Sequence, residues 1–169
     1  MRMFTAQDFE NVLSTIPNSP ENAQVYAAIQ AMAQEQKTSR EPYTFPVTFA
    51  NLTAGQTGIQ GSFFVDASSP FMLVQQNYQC APYAVTVMTE ATRLIPNVTI
   101  SITEQSSNRN WQSAAVPVSS IFGTGENPWF LPQPRLIPAN TTVTMTVNNF
   151  DGAQAYNLIL SFIGFRLYA

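Results

Sequence analysis

Residues 122–150 of the chain read FGTGENPWFLPQPRLIPANTTVTMTVNNF, and the two halves of this segment differ in character. Its first half holds four prolines, which fix φ and remove backbone donors: Pro128, Pro132, Pro134 and Pro138. Such a segment can only be an edge strand or an extended coil. In the second half Val143, Met145 and Val147 alternate with threonines. That alternation predicts a strand with one apolar and one hydroxylated face.

The composition of the whole chain is that of a globular protein with an unusual surface. Its 169 residues are 45% hydrophobic and 12% aromatic, enough for one domain with a substantial core and an appendage. Only 10% are charged, against roughly 25% in typical soluble domains. Much of the polar surface must therefore come from Ser, Thr, Asn and Gln, a surface that favours protein–protein contact.

Charge and cysteine content exclude several classes of function. The net charge is −3 and Lys37 is the single lysine, so we expect no direct nucleic-acid binding. Cys80 is the single cysteine and is interpreted as a small buried apolar residue. The sequence shows neither a signal peptide nor an apolar run of membrane-spanning length, and we expect no membrane contact.

The first 41 residues predict a helical arm followed by a linker. Phe9, Val12, Leu13 and Ile16 have helical spacing. A second helix is predicted from Pro20 to about Gln36, and its thin apolar stripe includes Val25, Ile29 and Met32. A helix of that length with so few apolar residues needs something to cover it. We place a boundary after the polar residues 37–41, giving an arm of residues 1–41 and a β-domain of residues 42–169.

From Tyr43 onward the periodicity is that of strands. Nine are predicted: Thr44–Phe49, Ile59–Asp66, Phe71–Asn77, Ala84–Thr89, Val98–Thr103, Ala115–Ser120, Trp129–Ile137, Thr142–Asn148 and Tyr156–Leu167. Turn residues separate them, and no helix intervenes. The predicted fold class is mainly β, an antiparallel jelly-roll β-sandwich with a short N-terminal α-helical arm. An immunoglobulin-like sandwich is the alternative.

The last predicted strand is apolar on both faces. Leu158, Leu160 and Phe162 occupy one face, and the other carries Ile159, Ile163, Phe165 and Leu167. One face of an antiparallel sheet normally meets water, so the second row requires a cover, either the N-terminal helices or another subunit. Gly164 within this strand predicts a bend or a close backbone approach.

The sequence offers little for catalysis, and we expect no enzymatic activity. It has no histidine, which removes the usual nucleophilic triads and imidazole metal sites. A glycosidase would need two neighbouring acids from among the scattered Asp66, Glu90, Glu104 and Glu126. Residues 148–152, NNFDG, could offer oxygens to calcium but are typical of a hairpin turn. No cofactor and no metal are expected.

Aromatic residues beside the prolines are candidates for an interface. Phe122, Trp129, Phe130 and Leu131 could form a docking ridge or a sugar-stacking platform, or could cap one end of the core. Together with the second face of the last strand and the stripe of the arm, they make up the predicted interface: Phe122, Trp129, Phe130, Leu131, Ile159, Ile163, Phe165, Leu167, Val25, Ile29 and Met32.

Four segments carry a resemblance to a known class of proteins. These are IFGTG at 121–125, PWFLPQPRLIP at 128–138, TVTMTVNN at 142–149 and LSFIGFRLY at 160–168. They resemble small jelly-roll virion proteins of tailed double-stranded-DNA bacteriophages, which decorate or cement the head or form a collar at the portal vertex. The resemblance implies a structural role, symmetric self-association and contact with a major capsid or portal protein, and it supplies no active-site residue.

The expected function is therefore that of a structural protein of a phage virion, made in the host cytoplasm and attached to the capsid or the neck. It would act by self-association as a homo-oligomer and by contact with a capsid or portal/connector protein. The alternative is a carbohydrate-binding or receptor-binding module of a phage fibre or spike, with Trp129 and Phe130 as its stacking surface. A glycan hydrolase is a third possibility, and it requires an acidic pair in a cleft.

Overall fold

A computed structural model describes residues 39–85 and 93–168 of the chain. The chain divides into two compact units, one of Met1–Arg40 with Leu167–Ala169 and one of Glu41–Arg166. Nearly all of the described residues belong to the second unit, which is a β-domain. The predicted helices of the arm, including Val25, Ile29 and Met32, lie outside the described residues, and so do residues 86–92.

The described residues form nine strands and one short helix. The strands are β1 (Ser39–Leu52), β2 (Ile59–Val65), β3 (Phe71–Pro82), β4 (Val98–Glu104), β5 (Arg109–Asn110), β6 (Val116–Pro117), β7 (Trp129–Ile137), β8 (Thr141–Asn149) and β9 (Tyr156–Tyr168). A single turn of helix, α1 (Val118–Ile121), follows β6. The protein is thus mainly β, as the alternation of its sequence predicts.

The strands are divided between two sheets. One has four strands in the order β1-β9-β3-β7. The other has the order β2-β8-β4-β5, with β6 also paired to β4. The strand pairs β2–β8, β3–β7, β3–β9, β4–β5, β4–β6 and β4–β8 are all antiparallel. Two contacts give the direction of β1 against β9. Near the start of β1, Tyr43 stacks on Arg166 near the end of β9, and near the end of β1 the Asn51 backbone amide donates to the Asn157 side-chain oxygen near the start of β9. The two strands therefore run in opposite directions.

The two sheets face each other across one aromatic core. Phe63 of the five-stranded sheet stacks on Phe45 at 4.6 Å between ring centroids and lies 4.8 Å from Phe162, both in the four-stranded sheet. Phe122 meets Phe162 edge-on at 5.5 Å. These contacts join the inner faces of both sheets, so the domain is a β-sandwich.

β8 has the two-faced character that its sequence predicts. It lies between β2 and β4, and Val143, Met145 and Val147 are fully buried on its inner face. The three threonines on the other face are partly exposed. The alternation predicted from residues 142–148 is confirmed. The apolar row packs on the core and the threonine row faces solvent, as in an antiparallel sheet with one face toward water.

The predicted strand positions agree with the structure in most places. β7 has the predicted bounds, and β1 and β3 extend beyond theirs. β1 begins at Ser39, inside the predicted linker. The strand predicted over Ala115–Ser120 is wrong in its second half, because Val118–Ile121 form α1. Most of the strand predicted over Ala84–Thr89 lies outside the described residues.

The turn between β8 and β9 is held by side chains. The Asn149 amide nitrogen donates to three carbonyl oxygens, those of Leu52, Thr53 and Gln154, at 2.9–3.1 Å. Asp151 Oδ1 accepts from the backbone amides of Ala153 and Gln154. A turn is present, but the predicted hairpin is wrong, because β8 ends at Asn149 and β9 lies in the other sheet. These donors and acceptors are committed to the fold.

Candidate interaction surface

β7 is an edge strand, as its prolines predict. It lies at the end of the four-stranded sheet and pairs with β3 alone among the described strands. Most of its side chains are exposed, which is unusual for a strand containing Trp, Phe and Leu. Pro132 and Pro134 remove N–H donors from this edge, and such prolines protect an edge from unwanted pairing.

The middle of β7 is not paired with β3. Phe130 is paired with Gln75 and Arg135 with Leu73, so four residues of β7 lie opposite the single residue Val74. Residues 131–134, the excursion LPQP, have no partner in β3. The sequence predicted an extended proline-rich segment here, and the register shows that this segment bulges away from its neighbour.

The aromatic residues of the predicted interface divide among three places. Phe122 is 1% exposed and lies in the core, so it is not part of the surface. Trp129 and Phe130 are 42% and 62% exposed, but adjacent residues of a strand point to opposite faces. Trp129 is paired with Gln76 on the inner side, and Phe130 with Gln75 on the outer side. Leu131 is partly buried against the core. These side chains therefore do not form one stacking platform.

The outer face of the four-stranded sheet carries an apolar patch that spans three strands. Leu136 of β7, Met72 of β3 and Phe165 of β9 are register partners in one row. Phe130, Gln75 and Ile163 form the next row. Leu136 is 57% exposed, and the members on β3 and β9 are partly exposed. We call Phe130, Leu136, Met72, Ile163 and Phe165 the outer-face patch.

The predicted second face of β9 supplies part of this patch. Leu158, Leu160 and Phe162 are fully buried on the inner face, while Ile159, Ile163, Phe165 and Leu167 are partly exposed. The division of the strand into two apolar rows is therefore as predicted. Met72 and Leu136 were not predicted as interface residues, because their place beside Phe165 depends on pairing across three strands.

The outer face of the five-stranded sheet is different in chemistry. The residues paired across its strands carry hydroxyl and amide side chains. One row across the sheet is Ser62, Thr144 and Thr103, and the next is Gln60, Thr146 and Ser101. Phe64, paired with Thr142, is an exposed exception. One outer face thus meets water in the ordinary way, and the other presents apolar side chains.

The acids considered for catalysis have structural partners. Asp66 accepts from the hydroxyl and the backbone amide of Ser68 and forms an ion pair with Arg166 at 2.8 Å. Mainly the Ser68 bonds, with a smaller effect of Arg166, hold the pKa of Asp66 below its usual range. Glu126 pairs with Arg93 at 3.0 Å. Glu104 is buried and accepts from the Ser107 hydroxyl at 3.0 Å. Glu90 lies outside the described residues.

Metal-ligating side chains do not cluster in the part of the chain that the structure describes. There, no three acids, cysteines or histidines come together in a way that could hold an ion. Asp151 Oδ2 accepts from the Tyr156 hydroxyl at 2.6 Å, and this bond is the main reason that the pKa of Asp151 is lowered. Burial, with this bond, raises the pKa of Tyr156 to about 12.

Cys80 is a core residue, as predicted. Its side chain is fully buried in β3 and forms no disulfide. Burial raises the pKa of the thiol to about 12, so the reactive thiolate is not populated at neutral pH.

Comparison with known proteins gives no match: no protein-family model, no curated protein and no solved structure is similar to the chain. Residues 39–85 and 93–168 also contain no helix of the length and hydropathy that crossing a membrane requires.

Proposed function

We propose that the sandwich is a jelly roll. The four-stranded sheet holds β1, β3, β7 and β9, and the other sheet holds β2, β4 and β8. The chain changes sheet after every strand except β4, which is followed in its own sheet by β5 and β6, together one interrupted strand. This supports two interleaved Greek keys, the arrangement of jelly rolls in capsid and lectin domains. In the alternative immunoglobulin fold, strands A and B share one sheet.

We propose further that the protein is a structural component of a tailed-phage virion, attached to the capsid or the portal region. It would act through self-association and protein contacts and not through catalysis. The outer-face patch is the observation that carries this proposal. Phe130 and Leu136 are 62% and 57% exposed, so burying the rest of each in an interface would contribute about 1–2 kcal/mol. Exposed apolar patches on a protein surface mark interaction sites.

The prolines on the β7 edge support the same proposal. The prolines prevent open-ended strand pairing, so association through the neighbouring outer face would be closed and specific. The chain's few charged residues favour this mode, because interfaces exclude the strongly hydrated side chains of Lys and Glu.

The placement of the aromatics argues against the carbohydrate-binding alternative. A sugar-stacking platform would use Trp129 and Phe130 together, but the two residues lie on opposite faces of β7. A glycan array tests this alternative. Glycan binding that is lost in Trp129→Ala while the oligomer persists would favour it over an architectural role.

Quantitative mass spectrometry of purified particles of the encoding phage tests the proposed function. We expect the chain to remain with the particles through density-gradient purification. A few hundred copies per particle would place it over the head, and about a dozen at the portal vertex, according to the closed symmetries of such assemblies. A chain that is made during infection but is absent from purified particles would contradict the proposal.

A further inference from the structure

A groove lies on the flank of the sandwich, between the edge strands of the two sheets. One wall is the excursion of β7 with Arg135, Leu136 and Pro138, and the other is the hairpin formed by β4 and β5. Its volume is about 580 Å³. The hairpin contributes Glu104, Ser107 and Arg109. The groove is thus large enough for several residues of an extended chain.

Two arginines give this groove its charge. Arg135 stacks on Trp111, with its guanidinium carbon 4.5 Å from the ring centroid, which fixes the orientation of the charged group. Burial and the neighbouring Arg109 lower the pKa of Arg135, and Glu104 opposes that effect. Neither arginine forms an ion pair within residues 39–85 and 93–168.

Among the described residues that line the groove, the one acid is already engaged. The Glu104 carboxylate accepts from the hydroxyls of Ser107 and Ser106 at 3.0 and 3.4 Å, and the residue is 6% exposed. Its charge offsets one arginine, so the three side chains together keep one net positive charge. A second carboxylate entering from solvent would balance the remaining charge and relieve the repulsion between the two arginines.

The walls of the groove indicate the kind of molecule that enters. The excursion lines the groove with leucine and proline, while Pro132 and Pro134 supply no N–H. An extended peptide fits such walls, because its apolar groups can pack against the leucine and the prolines while an acidic side chain meets the arginines. A sugar would prefer aromatic faces, but none of the described residues that line the groove is aromatic.

We propose that this groove binds an extended acidic peptide segment of a protein partner, with a carboxylate held between Arg109 and Arg135. The inference rests on the proposed function, because it names the chemistry of one contact that an assembly subunit would make. The outer-face patch would then serve self-association, and the groove would serve the second protein.

Fluorescence anisotropy with a labelled, capped peptide (AEAEAEAE) tests the proposal on the full-length protein at low salt. We expect binding that weakens as salt is added, and no binding of the matched AQAQAQAQ peptide. Arg109→Gln and Arg135→Gln should each weaken binding about tenfold. The exposed Arg40, which does not line the groove, provides the control variant Arg40→Gln.

Three results would overturn the proposal. They are the absence of peptide binding to the wild-type protein, equal binding by wild type and Arg109→Gln, and binding of an oligosialic acid hexamer in place of the peptide. Arg109 is exposed on a hairpin, so its variant remains informative even if Arg135→Gln fails to fold. Measuring the mass of the protein in solution alongside separates the two ideas, because Arg109 and Arg135, which these variants change, lie outside the outer-face patch.

Discussion

At the scale of single residues, close backbone contacts fix the geometry of the patch. At Gly164 the backbone of β9 lies against that of β3, and a Cβ there would collide with the Met72 carbonyl. The ladder between these strands shifts register at the same place, between Leu73 and Gln75. The glycine therefore allows Met72 and Phe165 to lie side by side on the outer face.

Gly164→Ala is expected to destabilise the domain by about 1–3 kcal/mol, because the collision involves main-chain atoms that cannot rotate away. Urea unfolding followed by circular dichroism measures the change. Gly125→Ala is the matched control, since a Cβ at Gly125 meets nothing within 4 Å, and its effect should stay within about 0.5 kcal/mol. Equal stability of the two variants would show that the strands are not this close.

Cys80 is expected to resist alkylation in the folded protein. Its buried thiol has a pKa raised to about 12, so iodoacetamide at pH 8 should modify it only after unfolding. Intact mass spectrometry with and without urea gives the measurement. Rapid modification of the native protein would place Cys80 at the surface.

At the scale of elements, strand β7 and the hairpin of β4 and β5 show what sequence can and cannot predict. The prolines of β7 predicted an edge strand, because a missing N–H is tolerated only there. The excursion and the groove were not predictable, since both depend on which strands become neighbours. β5 was missed because Arg109 and Asn110 lie in a polar segment typical of a turn. Gly164 was correctly interpreted, because a glycine inside an apolar strand leaves room for a neighbouring backbone that any side chain would block.

The β8–β9 turn is expected to weaken as pH falls. The Tyr156 hydroxyl and two backbone amides lower the pKa of Asp151 in the folded state, so its contribution to stability is present above about pH 4. That contribution is lost as the pH falls through the folded pKa. Asp151→Asn should therefore destabilise the protein at pH 7, and by a smaller amount at pH 3. Urea unfolding of both proteins at the two pH values checks this, and a difference independent of pH would contradict it.

At the scale of the whole molecule, the two outer faces of the sandwich differ. The five-stranded sheet presents Thr, Ser and Gln, and the four-stranded sheet presents Phe130, Leu136 and their neighbours. The sequence predicted the apolar outer row of β9 by alternation alone. It could not predict that Met72 and Leu136 extend this row across the sheet, because their partners are distant in sequence. The proposed assembly role rests on this contrast between the faces.

Sedimentation velocity of the full-length protein over a range of concentrations tests whether the outer-face patch drives self-association. We expect wild type to sediment as a multiple of the 18.7 kDa chain, and Phe130→Ser/Leu136→Ser to shift toward the single chain without loss of thermal stability. Phe64→Ser, which removes an exposed phenylalanine from the polar outer face, should leave the mass of the assembly unchanged. A wild-type protein that remains at 18.7 kDa at every concentration, or a double variant that associates as wild type does, would contradict the account.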